Sequence, residues 1–311
     1  MEYRFSGHET FPCRYAWLPK AYRTIRKNPT AFSNDEVAMV DLGVGKNMVR
    51  AIRFWVQATG IAEPRSEGGY QISTFGQSLL DEKNGWDPYL EDRSTLWLLH
   101  WKLATHVDEP LFAWDYLLNR WPHPEMTRTE VVREFETQAN RLGRKLSPVT
   151  LEQHFDVFLH SYVPTRSAKG EILEDNLDCP LVELELIRSV GERAPGGKGR
   201  RETIYSFRPQ PKPDISSALF AYCLEDFWRK RRDGELTLSF RDVSVSEGSP
   251  GQVFKLPDSD IRQRLESISV NDDTFAYQES AALQRVTHKQ KNRPELDQLL
   301  ASVYSSEVVH A

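Results

Sequence analysis

Two short strings in this sequence hold the residue types that phosphate chemistry uses. The first is Phe5-Ser6-Gly7-His8-Glu9-Thr10-Phe11, followed by Arg14 and Trp17. His8 and Glu9 are adjacent, so on a strand they point to opposite faces, whereas in a turn both reach one centre. A histidine beside an acid is more often a hydrogen-bonded structural pair than a catalytic one. The second string is Gly43-Val44-Gly45-Lys46-Asn47-Met48-Val49-Arg50, with Arg53 and Gln57 beyond it. A helix from about Lys46 to Thr59 places Lys46, Arg50, Arg53 and Gln57 on one stripe and Met48, Ile52, Trp55 and Thr59 on another. One face is built to pack and the other to meet anions; the plain alternative is a surface helix with solvated cations.

Two further stretches carry charge in a chemically useful pattern. Glu171, Glu174, Asp175 and Asp178 form an acid cluster, a place for a divalent cation because Mg²⁺ takes carboxylate oxygens and keeps several waters. A loop with four acids is nevertheless usually a solvated loop. The glycine-rich Ala194 to Arg201 segment carries Lys198, Arg200 and Arg201, which reach phosphates as a wing does if flanking β segments form a hairpin.

The elements that position these groups follow from local signals. Ser33-Asn34-Asp35-Glu36 caps an apolar run from Val37 to Leu42, and Gly43-Val44-Gly45 leaves room for little more than a turn before the cationic helix. Gly60 is placed to close that helix in the left-handed conformation. Ile61 to Glu63 and Tyr70 to Ser73 flank a glycine-containing loop and predict a β-hairpin. Helix, turn, helix, hairpin is the winged-helix order, in which the second helix lies in the DNA major groove.

Downstream, Thr74 to Leu80 reads as a short helix. Asp92 to Ala104 reads as a buried one with His100 as a core histidine. Thr127 to Glu130 is a capping box, and Ser147-Pro148 opens a helix to Tyr162 whose spacing leaves His154 and His160 off the apolar face and exposed. Leu181 to Ile187 predicts a strand or short helix, Ile215 to Arg232 a helix, Val253 to Leu256 extended structure and Glu279 to Val286 a last helix. The fold expected is mainly α with small β-hairpins, an α+β protein. A winged-helix-like module is expected in residues 1–87, a helical middle domain with the basic hairpin in 88–208, and a C-terminal α+β module in 209–311.

Composition bounds the function. A chain of 311 residues buries a sizeable core. The net charge of −5 argues against a protein that coats nucleic acid indiscriminately, though not against a local basic footprint. The three cysteines, Cys13, Cys179 and Cys223, fit neither a disulfide framework nor a Cys-x-x-Cys metal site. With no apolar run near the ~20 residues of a membrane span, a soluble cytoplasmic protein with no membrane partner is expected. Gly43-Val44-Gly45-Lys46 lacks the spacing of P-loop and Rossmann motifs, and no hydrolase elbow or spaced nuclease carboxylates are visible.

The strings Phe5 to Phe11 with Arg14 and Trp17, Leu42 to Arg50 with Arg53, and Glu174-Asp175 with Leu177 to Leu181 resemble a bacterial SspB-like family, long described only as a domain of unknown function and associated with DNA phosphorothioation. The resemblance spans roughly residues 3 to 260. It implies a DNA-binding protein of a sulfur modification and defence system, acting as a metal-dependent DNA nickase with Mg²⁺ or Mn²⁺. The alternative is a non-catalytic DNA-binding adaptor or regulator. Implied partners are DNA, a cysteine desulfurase, an ATPase and an ATP-pyrophosphatase-like protein, with a homodimer open. Placed on the shared motifs, His8 would be general base or ligand, Glu9 a metal ligand and Arg14 a phosphate clamp. Asp175 and Asp178 are further candidate metal ligands, and Lys46, Asn47, Arg50, Arg53, Gln57, Lys198, Arg200 and Arg201 are the DNA contacts.

Overall fold

Local capping chemistry sets most of the helices. In the computed structural model, which describes residues 2–164, 179–194, 201–271, 273–280, 283–290 and 293–305, the Asn34 side chain accepts the Glu36 and Val37 amides and opens α2, Asp35–Leu42. Gly43, at φ +64°, ends α2 in the left-handed region that a side chain resists. Helix α3, Lys46–Ala58, follows at once, preceded in the chain by α1, Trp17–Lys27. The antiparallel pair β1, Ala62–Pro64, and β2, Tyr70–Ile72, comes next, with Ala62 opposite Ile72. The Ser73 hydroxyl then caps α4, Thr74–Leu80.

The chain divides into two compact units, Met1–Trp114 with Pro122–Phe207 and Asp115–Trp121 with Arg208–Ala311. The segments read from sequence as 1–87 and 88–208 thus fall mostly within one unit. Its core is aromatic: Trp55, Trp97, Trp101 and Trp114 are each at most 1% exposed. Helix α5, Arg93–Ala104, buries nearly its whole circumference, including His100, whose Nδ1 lies 2.7 Å from the Tyr162 hydroxyl. The chain leaves the first unit within the short α6, Phe112–Asp115.

It returns through β3, Glu125–Met126, to α7, Arg128–Arg141, where the Thr127/Glu130 capping box is formed, and α8, Pro148–Tyr162, capped by Ser147. Strands β4, Ile187–Arg193, and β5, Glu202–Phe207, complete an antiparallel sheet in the order β3-β5-β4. The strand or helix expected over Leu181 to Ile187 resolves into a 3₁₀ turn, Pro180–Leu184, with the strand starting only at Ile187. Proline at the first helical position sets that turn, which buries Leu181 and Leu184 on one side.

The second unit is built on α9, Ser217–Arg231, and an antiparallel sheet whose strands, Thr237–Ser239, Phe275–Glu279 and Gln284–His288, lie with the last in the middle. Two sequence expectations fail here. Val253 and Phe254 end a helix running Pro250–Phe254, capped by Ser249 and started by Pro250, and Lys255 then turns the chain in the left-handed region. The helix expected from Glu279 to Val286 is instead a hairpin: Ser280 and Leu283 exchange backbone hydrogen bonds, and Val286 is the buried residue at the middle of the strand Gln284–His288. The unit closes with Leu296–Ser305. No helix among the described residues is long and apolar enough to cross a membrane.

Candidate nucleic-acid interface

Helix α3 carries two functions on two faces. Val49, Ile52, Phe54, Trp55 and Val56 are buried, and the Trp55 indole N–H donates to the Phe11 carbonyl at 3.0 Å. That bond fixes the N-terminal segment onto the helix. Gly7, at φ +107°, lies so close to Phe54 that a Cβ there would stand 2.9 Å from its ring. The segment then turns sharply: the Phe11 amide donates to the His8 carbonyl at 2.9 Å across Glu9 (φ +50°) and Thr10 (φ +66°). Two consecutive left-handed non-glycine residues, one of them β-branched, cost about 1–3 kcal/mol each and persist only where the surroundings hold them.

That turn sends its two chemical residues apart. Glu9 lines a surface groove of about 810 Å³ together with Asp35 and Glu36 of α2 and Lys46, Arg50 and Arg53 of α3. The three cations converge on one carboxylate: Arg50 Nε lies 3.3 Å from Asp35, and Lys46 Nζ and an Arg53 guanidinium nitrogen each lie 3.8 Å from it. Arg53 also donates to the Phe32 carbonyl at 3.3 Å. With side chains 57%, 38% and 34% exposed, these pairs sit in solvent and are individually worth about 0–1 kcal/mol. The cations are therefore held in place without being used up. Asn47 is exposed beside them, whereas Gln57 donates to the Tyr70 hydroxyl and ties the helix to β2.

His8 goes the other way. It is 3% exposed, stacked on His154 with ring centroids 5.4 Å apart, and its Nε2 lies 3.1 Å from His154 Nδ1. His154, expected at the surface, is wholly buried because α8 presents that side to the aromatic core of Phe5, Trp114 and Phe135. Burial, with the Arg4 guanidinium second, pushes His8 down to about 4, and burial first, then His8, holds His154 well below its ordinary value. Both rings are neutral at pH 7. The Ala113 amide donates to His154 Nε2 at 2.9 Å, which favours the His154 proton on Nδ1, facing His8, over the tautomer that the longer 3.3 Å contact of the Thr10 amide with His8 Nδ1 would require. His8 thus lies buried under the turn and is not among the residues lining the groove.

Arg14 is half-buried with its guanidinium over the Trp17 ring at 5.4 Å, outside the residues lining the groove. Arg201 is exposed just before β5. Asp175, Asp178, Lys198 and Arg200 lie outside the described residues, as do Glu171 and Glu174. Among the described residues no group of three or more His, Cys, Asp or Glu is arranged to hold a metal ion. The spacing of 146 residues between His8 and His154 left no sequence signal for their pairing. Asp35 read only as part of a helix cap.

The chain belongs to the family described as "Protein of unknown function (DUF4007)", whose model matches residues 5–304. Solved structures share its fold. An "SspB crystal structure" superposes with a TM-score of 0.82 at 26% identity, over 98% of this chain and 89% of the other. A "Magnesium ion-bound SspB crystal structure" superposes at 0.79 and 24% identity, over 100% and 98%, a likeness of fold. The SspB-like character drawn from the sequence motifs is thus found again in three dimensions. Among curated proteins none matches the chain in sequence.

Proposed function

We propose that this chain binds duplex DNA through α2, α3 and the β1–β2 hairpin, as the DNA-contacting component of a bacterial DNA phosphorothioation system. What carries the proposal is the fan of Lys46, Arg50 and Arg53 on the open face of α3, held in position by a single carboxylate. The element order is that of a winged helix, with α3 as recognition helix and the hairpin as wing. Asn47 is placed to read a base edge, where asparagine pairs best with adenine. Gln57 acts through Tyr70 by bracing the wing. On this reading its partners are a cysteine desulfurase, an ATPase and an ATP-pyrophosphatase-like protein, with a homodimer open.

Titration of a labelled duplex tests this. Wild-type protein binds at 50 mM salt with log K falling linearly in log salt, and Arg50→Ala with Arg53→Ala lowers that slope by about 2. Absence of wild-type binding at roughly 100 µM protein and low salt, where even non-specific contacts register, sinks the proposal.

Metal-dependent nicking is the second reading, favoured by one observation: the strained Glu9–Thr10 turn sets a carboxylate into the cationic groove. Among the described residues no group of three or more His, Cys, Asp or Glu forms a chelating site by itself. Mg²⁺ held partly by DNA phosphate and water needs only one or two carboxylates, which Glu9 and Glu36 would supply. Open-circular product from supercoiled plasmid with Mg²⁺ or Mn²⁺ supports nicking. Retained DNA binding with no such product leaves an adaptor or regulator.

A further inference from the structure

Three adjoining hollows run along α2. The first is the groove of Lys46, Arg50 and Arg53 at its N-terminal end. The second, about 460 Å³, is lined by Met39, Val40 and Val44 and shares Glu36 with the first. The third, about 470 Å³, lies at the C-terminal end of α2, shares Val40 and Gly43 with the second, and is walled by Lys20, Arg23 and Lys27 of α1. Shared walls make the three one continuous surface.

The α1 cations recur at steps of three and four residues, so they form one stripe, opposite the buried Leu18, Ala21, Tyr22 and Ile25. The Lys20 and Lys27 side chains are exposed on that stripe. Arg23 meets Glu82 at 3.7 Å with both side chains about half exposed, a pair worth little. A solvated helix face would look the same in isolation, but this one faces the belt that already holds the α3 cations. That belt gathers six Lys and Arg against four carboxylates on a chain of net charge −5. The two cation sets line hollows at opposite ends of α2, a helix of eight residues and so about 10–12 Å long, a length close to the ~12 Å width of the B-DNA major groove.

We propose that α1 is a second duplex-contact element, with Lys20, Arg23 and Lys27 meeting phosphates across the groove from those held by Lys46, Arg50 and Arg53. The inference rests on the DNA-binding proposal above and extends the interface to a helix outside the helix-turn-helix pair. Its contacts are to phosphate, so they strengthen binding equally for any sequence.

Full-length protein carrying Lys20→Ala and Lys27→Ala is titrated with duplexes of unrelated sequence between 50 and 200 mM salt. The expected result is a salt slope lower by about 2 on every duplex, so that wild-type affinity falls roughly tenfold more than the variant's over that range. A control with the same charge change at exposed Arg141 and Lys145 keeps the wild-type slope. An unchanged slope for the α1 variant, while Arg50→Ala with Arg53→Ala lowers it, overturns the role of α1 and leaves DNA binding by α3 standing. An equal drop in the control also overturns it. Wild-type protein that binds no duplex at 50 mM salt removes both.

Discussion

His8 and Glu9 are joined by one peptide bond and occupy opposite environments. On the dry side, His8 stacks on His154, both rings neutral, with no more than 3% of either exposed. On the wet side, Glu9 shares a solvent-filled groove with Lys46, Arg50 and Arg53. The dry side supplies the rigidity that holds a strained turn, and the wet side the charge that can meet a ligand. Adjacency in a motif therefore marks a division here: His8 packs on the interior side of the turn and Glu9 lines the groove.

Substitutions on the dry side sharpen or break this division most. His154→Ala removes packing against Phe5, Trp114 and Phe135 and orphans the Ala113 amide. A loss of about 3–4 kcal/mol, a melting temperature lower by on the order of 10 °C, is expected; a melt within 2 °C of wild type would end the structural account of the dyad.

The pH dependence comes next. His8 is held down to about 4 when folded, against an ordinary 6.5 when unfolded. Its contribution is thus complete above about pH 6.5 and is lost as the pH falls toward 4, on the order of 3 kcal/mol in all. Unfolding followed across that window should show the loss; His154, held lower still, adds a loss of its own there, so His8→Gln should make the fall shallower without abolishing it.

On the wet side, Arg50→Ala with Arg53→Ala is expected to weaken duplex binding roughly tenfold at intermediate salt while leaving the melt nearly unchanged. Comparable losses in both measurements would mean that the cations serve the fold. The smallest stability change belongs to Glu9→Gln, within about 0.5 kcal/mol of wild type. Plasmid nicking by this variant at the wild-type rate would exclude Glu9 from any cleavage chemistry.

Much of the first unit is legible in the order of its residues. Asn34, Gly43, Thr127 with Glu130, and Ser147 act within a few residues of themselves, so their capping roles survive whatever the rest of the chain does. The cationic stripe of α3 follows from helical spacing alone. In the second unit, Gln284–His288 became the middle strand because Val286 and its neighbours pair both with the hairpin arm Phe275–Glu279 and with the distant Thr237–Ser239. No local propensity reports such pairing.

Sequence by itself determined the caps, the helix-turn-helix-hairpin order and the charge carried by α3, because each depends on backbone conformation over one or two turns. Only tertiary structure decided that His8 would be buried against a histidine of α8, that Asp35 would gather Lys46, Arg50 and Arg53, and that the stripe of α1 would face the same surface. Those outcomes depend on which apolar faces meet, and burial, unlike spacing, is a property of the packed chain as a whole.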